Sequence, residues 1–269
     1  MEANKMDRDG GKIEEIFAAA TSMSVRQTRR GCFQELLGCE AADEFKWFNT
    51  TDGRNDEFGV SLEDSPCFTR MCCGGCHEFT MVAKENGSDE EILTMYRPWA
   101  CNAGACKCCC YQKMEYSYKG SPLGQIEELC WVCVPRMQIT DASGSPVYKV
   151  HPPTCVGGMC VDICAEGNPC CGKGCCKVPF YIYPATQEDT DNGAPYVGKV
   201  VKVPKSLAVE FFTDAEAYDI VFPADATSAQ KAMIAGGAVF INANFFEQES
   251  QGSGGGDCAC DCLLDGLLQ

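Results

Sequence analysis

Between residues 44 and 222 the chain is a succession of short runs rich in Val, Ile, Tyr, Phe and Thr, with no long helical pattern between them. The runs fall at residues 78–84, 91–97, 113–118, 125–132, 136–140, 146–150, 178–183 and 196–203. Tight-turn signals separate them: Asn86-Gly87, Lys119-Gly120-Ser121-Pro122, Ser143-Gly144-Ser145-Pro146 and Asp191-Asn192-Gly193. Strands without intervening helices must pair with one another, and an open sheet of about twelve would leave two exposed edges. The expectation is therefore a mainly β fold, a closed antiparallel barrel of about twelve strands.

The pattern changes after Pro223. Asp225-Ala226-Thr227-Ser228 supplies capping side chains, and an apolar stretch runs over 232–246. Fifteen residues span roughly 22 Å as a helix, short of a bilayer core of about 30 Å. Asn242 and Asn244 interrupt the stretch further. A helix that is apolar on every side belongs inside protein, and Gly236-Gly237 permits close approach of surrounding strands. The residues expected to carry that burial are Ile234, Val239, Phe240, Ile241 and Phe245, in a helix over about 228–246. A membrane-spanning role for the same helix stays open at this point. The expected organisation is a leader over 1–40, flexible or partly helical, a barrel with central helix over 41–248, and a flexible Gly- and Cys-rich tail over 249–269.

Twenty-three cysteines need an explanation. The first thirty residues are charged and polar and lack the apolar run of a signal peptide. Several cysteines are adjacent (Cys72-Cys73, Cys108-Cys109-Cys110, Cys170-Cys171, Cys175-Cys176), and neighbours rarely satisfy disulfide geometry. A reduced, intracellular chain follows. The net charge of −16 argues against nucleic-acid binding and against simple electrostatic docking on anionic lipid. Zinc is one use for the thiols: Cys73-Gly74-Gly75-Cys76-His77 has C-x-x-C spacing, and Cys160/Cys164 and Cys171/Cys175 add further pairs. Burial as small hydrophobes is another. The run 167–174 nearly spells a phosphate-binding loop, but Gly174 stands where Ser or Thr would hold magnesium and β-rich sequence follows. His77 and His151 lack the partners of a catalytic triad.

With the barrel-then-helix plan, three groups of residues carry a resemblance. They are Asp64-Ser65-Pro66-Cys67-Phe68-Thr69-Arg70-Met71-Cys72-Cys73-Gly74, then Tyr96-Arg97-Pro98 with the cysteines up to Cys110, then Val197-Gly198-Lys199-Val200, Phe212-Thr213-Asp214-Ala215-Glu216-Ala217-Tyr218 and Ile220-Val221-Phe222-Pro223. Over residues 32–248 the chain resembles the phospholipid scramblases, whose fold is like the Tubby C-terminal domain, a twelve-stranded barrel around a central helix.

The resemblance implies passive, ATP-independent, bidirectional and calcium-dependent movement of phospholipids at the cytoplasmic face of the plasma membrane, with no covalent catalysis. It implies a calcium loop with ligands at Asp214, Glu216, Tyr218, Ile220, Phe222 and Asp225. Read as residues, Tyr218, Ile220 and Phe222 alternate like a strand burying one face. The resemblance also implies palmitate on Cys106, Cys108, Cys109 and Cys110, and several neighbouring chains are what a stable lipid anchor requires. Lys199, Lys202 and Lys205 match a region that carries a nuclear import signal in some members, and read otherwise as a solvated face. Tubby-like domains also bind phosphoinositides, which leaves a lipid-anchored binding module, recognising membranes or proteins without scrambling, as the alternative. The resemblance does not extend to the proline-rich N-terminal region of better-known members, so binding of proline-recognising signalling domains is not expected.

Overall fold

Period-two burial builds this molecule: Met114, Tyr116 and Tyr118 point inward from one strand while Lys113, Glu115 and Ser117 point out. The computed structural model describes residues 11–28, 42–66, 76–100, 106–107, 109–132, 134–153, 177–190, 193–203 and 217–246, with Cys106, Lys107 and Val132 described by backbone alone. The strands are β1 (Ser22–Thr28), β2 (Glu44–Asn49), β3 (Asp56–Asp64), β4 (Phe79–Glu85), β5 (Glu91–Arg97), β6 (Cys106–Lys107) and β7 (Lys113–Tyr118). After them come β8 (Ser121–Glu128), β9 (Trp131–Val132), β10 (Met137–Asp141), β11 (Pro146–His151), β12 (Val178–Pro184), β13 (Gly198–Val203) and β14 (Ala217–Val221).

Twelve of these close into one antiparallel barrel, in the order β1-β14-β13-β12-β11-β10-β8-β7-β5-β4-β3-β2. Every barrel strand pairs with its predecessor, and the ring closes by β14 pairing with β1, from Ser22 opposite Val221 to Arg26 opposite Ala217. The remaining two strands, β6 and β9, form a separate ribbon.

A helix α1 (Gly11–Phe17) precedes β1, and α2 (Ser228–Phe245) follows β14. Thr227 caps α2: its hydroxyl accepts from the Gln230 amide, and the Gln230 side chain accepts from the Thr227 amide. Fifteen of the eighteen helix residues are buried, including Ile234, Val239, Phe240 and Ile241, while Phe245 packs half-buried against the core. The helix touches both β1 and β8, which sit six places apart in either direction around a twelve-membered ring. Contact with opposite walls places α2 inside the barrel. Among the described residues no helix is long and apolar enough to cross a membrane.

Three boundaries differ from the sequence expectation. The barrel begins before residue 41, because Ser22–Thr28 supplies the strand that closes the ring, and Gly11–Phe17 is helical through burial of Ile13 and Phe17. The 125–132 run divides: β8 ends at Glu128, the Leu129 amide bonds to the Arg136 carbonyl, and β9 leaves the barrel to pair with β6. The Lys119–Pro122 turn is only two residues long, with Lys119 and Gly120 at φ 47 and 78, and Pro122 sits inside β8 where a register shift relieves its missing N–H.

Candidate functional site

In a barrel whose strands run alternately up and down, every second connection lies at the same end. The connections β1–β2, β3–β4, β5–β7, β8–β10, β11–β12 and β13–β14 therefore share one end. Twenty of the 23 cysteines fall in those six connections, and none in the connections of the opposite end or in a barrel strand. The chain also leaves α2 at this end, where Phe245 and Phe246 meet Phe180 with ring centroids 6.1 and 6.3 Å away, before continuing towards Cys258, Cys260 and Cys262. Much of these connections lies outside the described residues; the topology specifies where the chain enters and leaves them.

The described residues at the cysteine end divide into a buried polar layer and an exposed rim. In the layer, His77 Nε2 and Glu63 Oε1 are 2.8 Å apart with both side chains almost completely buried. Burial raises the Glu63 carboxyl, but hydrogen bonds from His77 and Ser65 outweigh it and hold the group below its ordinary value of 4.5. Arg97 is fully buried, with its guanidinium carbon 5.6 Å from the Phe79 ring centroid and Nε donating to Gln112 Oε1 at 3.3 Å. Gln112 in turn donates its amide to buried Glu128 at 2.8 Å and its side chain to the Ala100 carbonyl at 2.8 Å. Tyr218 donates its hydroxyl to Asn242 of α2 at 2.8 Å. On the rim, Trp99, Tyr111, Cys109, Cys110 and Cys130 are exposed. Amphipathic aromatics of this kind favour membrane interfaces.

The opposite end is closed by α1. Lys231 of α2 donates to the carbonyls of Phe17 and Ala18 at 3.2 and 3.0 Å, the Phe17 ring meets Phe222, and Lys12 pairs with Glu85 at 2.6 Å. That pairing raises the Lys12 pKa and lowers that of Glu85.

The sequence-predicted residues distribute unevenly. Asp214 and Glu216 lie outside the described residues. Tyr218, Ile220 and Phe222 are buried with their side chains in the core, and β14 is paired on both sides, so its carbonyls serve the ladders. Asp225 is exposed beyond the far end of β14, where it helps burial raise the pKa of Tyr148. Of the acylation candidates, Cys109 and Cys110 are exposed, so neither is a buried hydrophobe; Cys106 is placed by backbone alone and Cys108 lies outside the described residues. Of the zinc candidates, Cys76 is buried and His77 gives Nε2 to Glu63, whereas Cys73, Cys171 and Cys175 lie outside. Among the described residues no three His, Cys, Asp or Glu side chains gather as a metal cluster. In the basic run Lys199 is half-buried, Lys202 departs from a solvated face by being buried with Nζ 3.6 Å from the Phe246 ring centroid, and Lys205 lies outside the described residues.

Sequence reasoning missed Glu63 and Glu128, and noted Arg97 only as part of a motif. Their signal was available: each is a charged residue at a strand end, in phase with the inward positions of its own strand. A groove of about 480 Å³ runs on the outer wall over β7, β8 and β10, and Glu115, Glu127 and Asp141 line it.

The Scramblase family model matches residues 11–167 and 166–248. Phospholipid scramblase 1 of Homo sapiens is 31% identical over 212 residues, covering 79% of this chain and 59% of that protein. Phospholipid scramblase 2 of Bos taurus is 29% identical over 213 residues, covering 79% and 64%. Phospholipid scramblase family member 5 of Homo sapiens is 27% identical over 220 residues, covering 81% and 71%. The chain thus spans about three fifths of the length of the first of these relatives. No solved structure matches it.

Proposed function

The chain belongs to the scramblase family, and on that premise we propose that it moves phospholipids passively between membrane leaflets, in both directions and without ATP or covalent catalysis. The observation that carries this reading is the family match itself, which extends from α1 through α2 and so covers the whole barrel and its central helix.

The geometry bears on the route. With α2 filling the barrel and α1 closing one end, a headgroup does not travel through the interior, so transit takes place along the outer surface of the protein. Membrane contact is made by the cysteine end, at the cytoplasmic face of the plasma membrane. Trp99 and Tyr111 sit at the interface there, and palmitate is carried by thiols of the 106–110 run, of which Cys109 and Cys110 are exposed. Acyl chains supply the hold that a net charge of −16 denies to an anionic leaflet. Calcium control rests on the carboxylates of Asp214 and Glu216, since the side chains of Tyr218, Ile220 and Phe222 are committed to the core and Asp225 follows β14 at the opposite end of the barrel. Two carboxylates make a weak site, toward the millimolar end.

One observation favours a second reading, a membrane-binding module that scrambles nothing: a sealed barrel offers lipids no internal path. The outer groove does not suit phosphoinositides, because its carboxylates repel an anionic headgroup.

The test reconstitutes the full chain in liposomes carrying a fluorescent phospholipid and adds dithionite, which bleaches only the outer leaflet. Scrambling carries bleaching beyond half of the signal, faster with calcium. Bleaching that stops at half under both conditions defeats the proposal, and sedimentation of the protein with the same liposomes then supports the binding module.

A further inference from the structure

Strand register sets the lining of the groove of about 480 Å³ on the outer wall. Tyr96, Glu115, Gln125 and Thr140 are paired in a row across β5, β7, β8 and β10, and directly opposed residues share a face. Their strand neighbours Met95, Met114, Ile126 and Ile139 fill the core, so the row faces outward. Glu127 and Gln138 make the next row towards the cysteine end, and the β10–β11 turn, with Asp141 and Gly144, bounds the groove at the other.

Two independent features point to a ligand. The first is Thr140, only 6% exposed, which lines the groove while its hydroxyl makes no hydrogen bond to another described residue. A buried hydroxyl without a partner is costly. The second is charge: Glu115, Glu127 and Asp141 line the groove and no basic residue does. Lys113, outside the lining, offsets Glu115 at 2.7 Å. Hydrogen bonds from Ser143 and Ser145 hold Asp141 below its ordinary value of 3.8, which keeps it ionised at neutral pH. Among the described residues no three such side chains gather as a metal cluster, so these carboxylates are spaced for a cation broader than a metal ion.

The groove also adjoins the rim assigned to membrane contact. Exposed Trp99, Cys109, Cys110 and Tyr111 lie in the β5–β7 connection and exposed Cys130 in the β8–β10 connection, at the cysteine end of the same four strands. Glu127 and Gln138 are each one residue from that end of their strands.

We infer that the groove is a headgroup slot for amine-bearing zwitterionic phospholipids, its carboxylates holding the ammonium and the Thr140 hydroxyl donating to a phosphate oxygen. The inference rests on the lipid reading above and adds a substrate class to it: choline and ethanolamine headgroups over anionic ones, which the same carboxylates repel.

The first test uses the full chain and soluble probes. Saturation-transfer NMR reads binding of glycerophosphocholine, with choline, glycerol phosphate and trilysine as comparisons. The expected result is saturation of the choline methyl protons of glycerophosphocholine and no response from glycerol phosphate. Glu115→Gln combined with Glu127→Gln weakens the binding by about fivefold or more. Thr140→Val keeps the β-branched shape and weakens binding of glycerophosphocholine but not of choline. Circular dichroism checks that both proteins fold. The inference is overturned if glycerophosphocholine does not bind, or if either protein binds it as the parent does. It is overturned equally if trilysine binds in its place, which would assign the groove to a basic protein segment. The second test uses proteoliposomes with acyl-labelled lipids. The parent moves phosphatidylcholine faster than phosphatidylglycerol, and the doubly substituted protein loses that preference. Equal rates for both lipids in both proteins overturn the slot and leave the scrambling reading intact, whereas groove binding without movement of either lipid does the reverse.

Discussion

Two adjacent glycines of α2 should respond to the same substitution with opposite signs. A Cβ on Gly236 would lie 2.5 Å from Cε1 and 3.1 Å from Cδ1 of Tyr116, and 3.2 Å from Leu93 Cδ2. The Tyr116 ring is buried and cannot swing clear, and its hydroxyl has no partner among the described residues. Overpacking a close-packed core costs about 1–3 kcal/mol, and a 2.5 Å contact belongs in the upper part of that range. Alanine recovers about 1 kcal/mol over glycine in a helix interior, so Gly236→Ala should destabilise by about 1–2 kcal/mol.

A Cβ on Gly237 meets only Ile126 Cδ1, at 3.6 Å, an ordinary contact. Gly237→Ala should therefore stabilise by about 1 kcal/mol. Denaturant unfolding of the two variants beside the parent measures both, and in thermal melts the midpoints should shift in opposite directions by about 2–6 °C. A helix lying in lipid or water has no wall against Gly236, and both substitutions would then stabilise alike. Shifts of the same sign refute the seating of α2 inside the barrel.

Tyr218→Phe removes the 2.8 Å bond to buried Asn242, whose Nδ2 also lacks a partner among the described residues, and should cost about 1–3 kcal/mol by urea unfolding; Asn242→Leu added to it should restore part of the loss. Glu63 has a lowered pKa, so its interaction with His77 and Ser65 adds stability above the unfolded value near 4.5 and loses it as pH falls through the folded value. Glu63→Gln should accordingly be less stable than the parent at neutral pH, with the gap narrowing below about pH 4.5 in melts across the acid range. Calorimetric titration with calcium should give weak heats that Asp214→Ala reduces; identical heats from both proteins would remove the proposed calcium site.

The sequence makes some of this fold legible to the residue. The strands β5 and β7 coincide with the 91–97 and 113–118 runs, because strict alternation ends there at Glu90 and Tyr111-Gln112 on one side and at a proline or a Lys-Gly turn on the other. The helix was legible because an unbroken apolar stretch has no amphipathic face to turn to water, and a closed barrel is the shell that hides it. Strand β1 was not, since Ser-Met-Ser-Val-Arg-Gln-Thr gains its β character from pairing with β14, nearly two hundred residues away. The departure of β9 was hidden for a related reason: the apolar pattern continues through Leu129 and Trp131, the Leu129 bond to Arg136 still continues the β8–β10 ladder, and only the pairing of β9 with β6 shows the chain leaving the barrel.

The cysteine end was invisible for a topological reason. Spacing along a chain says which thiols are near in sequence, whereas shared location here depends on counting strands, every second connection returning to the same end. The two strands of the ribbon are separated in sequence by residues 108–130 yet lie side by side, because the β7–β8 hairpin comes between them. Likewise the alternation of Tyr218, Ile220 and Phe222 already read as a strand, and the double pairing of β14 is what commits those side chains to the core.

The central claim is that the barrel works on membranes with α2 still seated inside it. Phospholipids carrying a photoreactive group deep in the acyl chain, in liposomes in which the protein is active, test this most directly. The account predicts label in the segments bearing Trp99, Tyr111 and Cys130, and none in residues 232–244 of α2. Label distributed along α2 would mean that the helix leaves the barrel for the bilayer, and would contradict it.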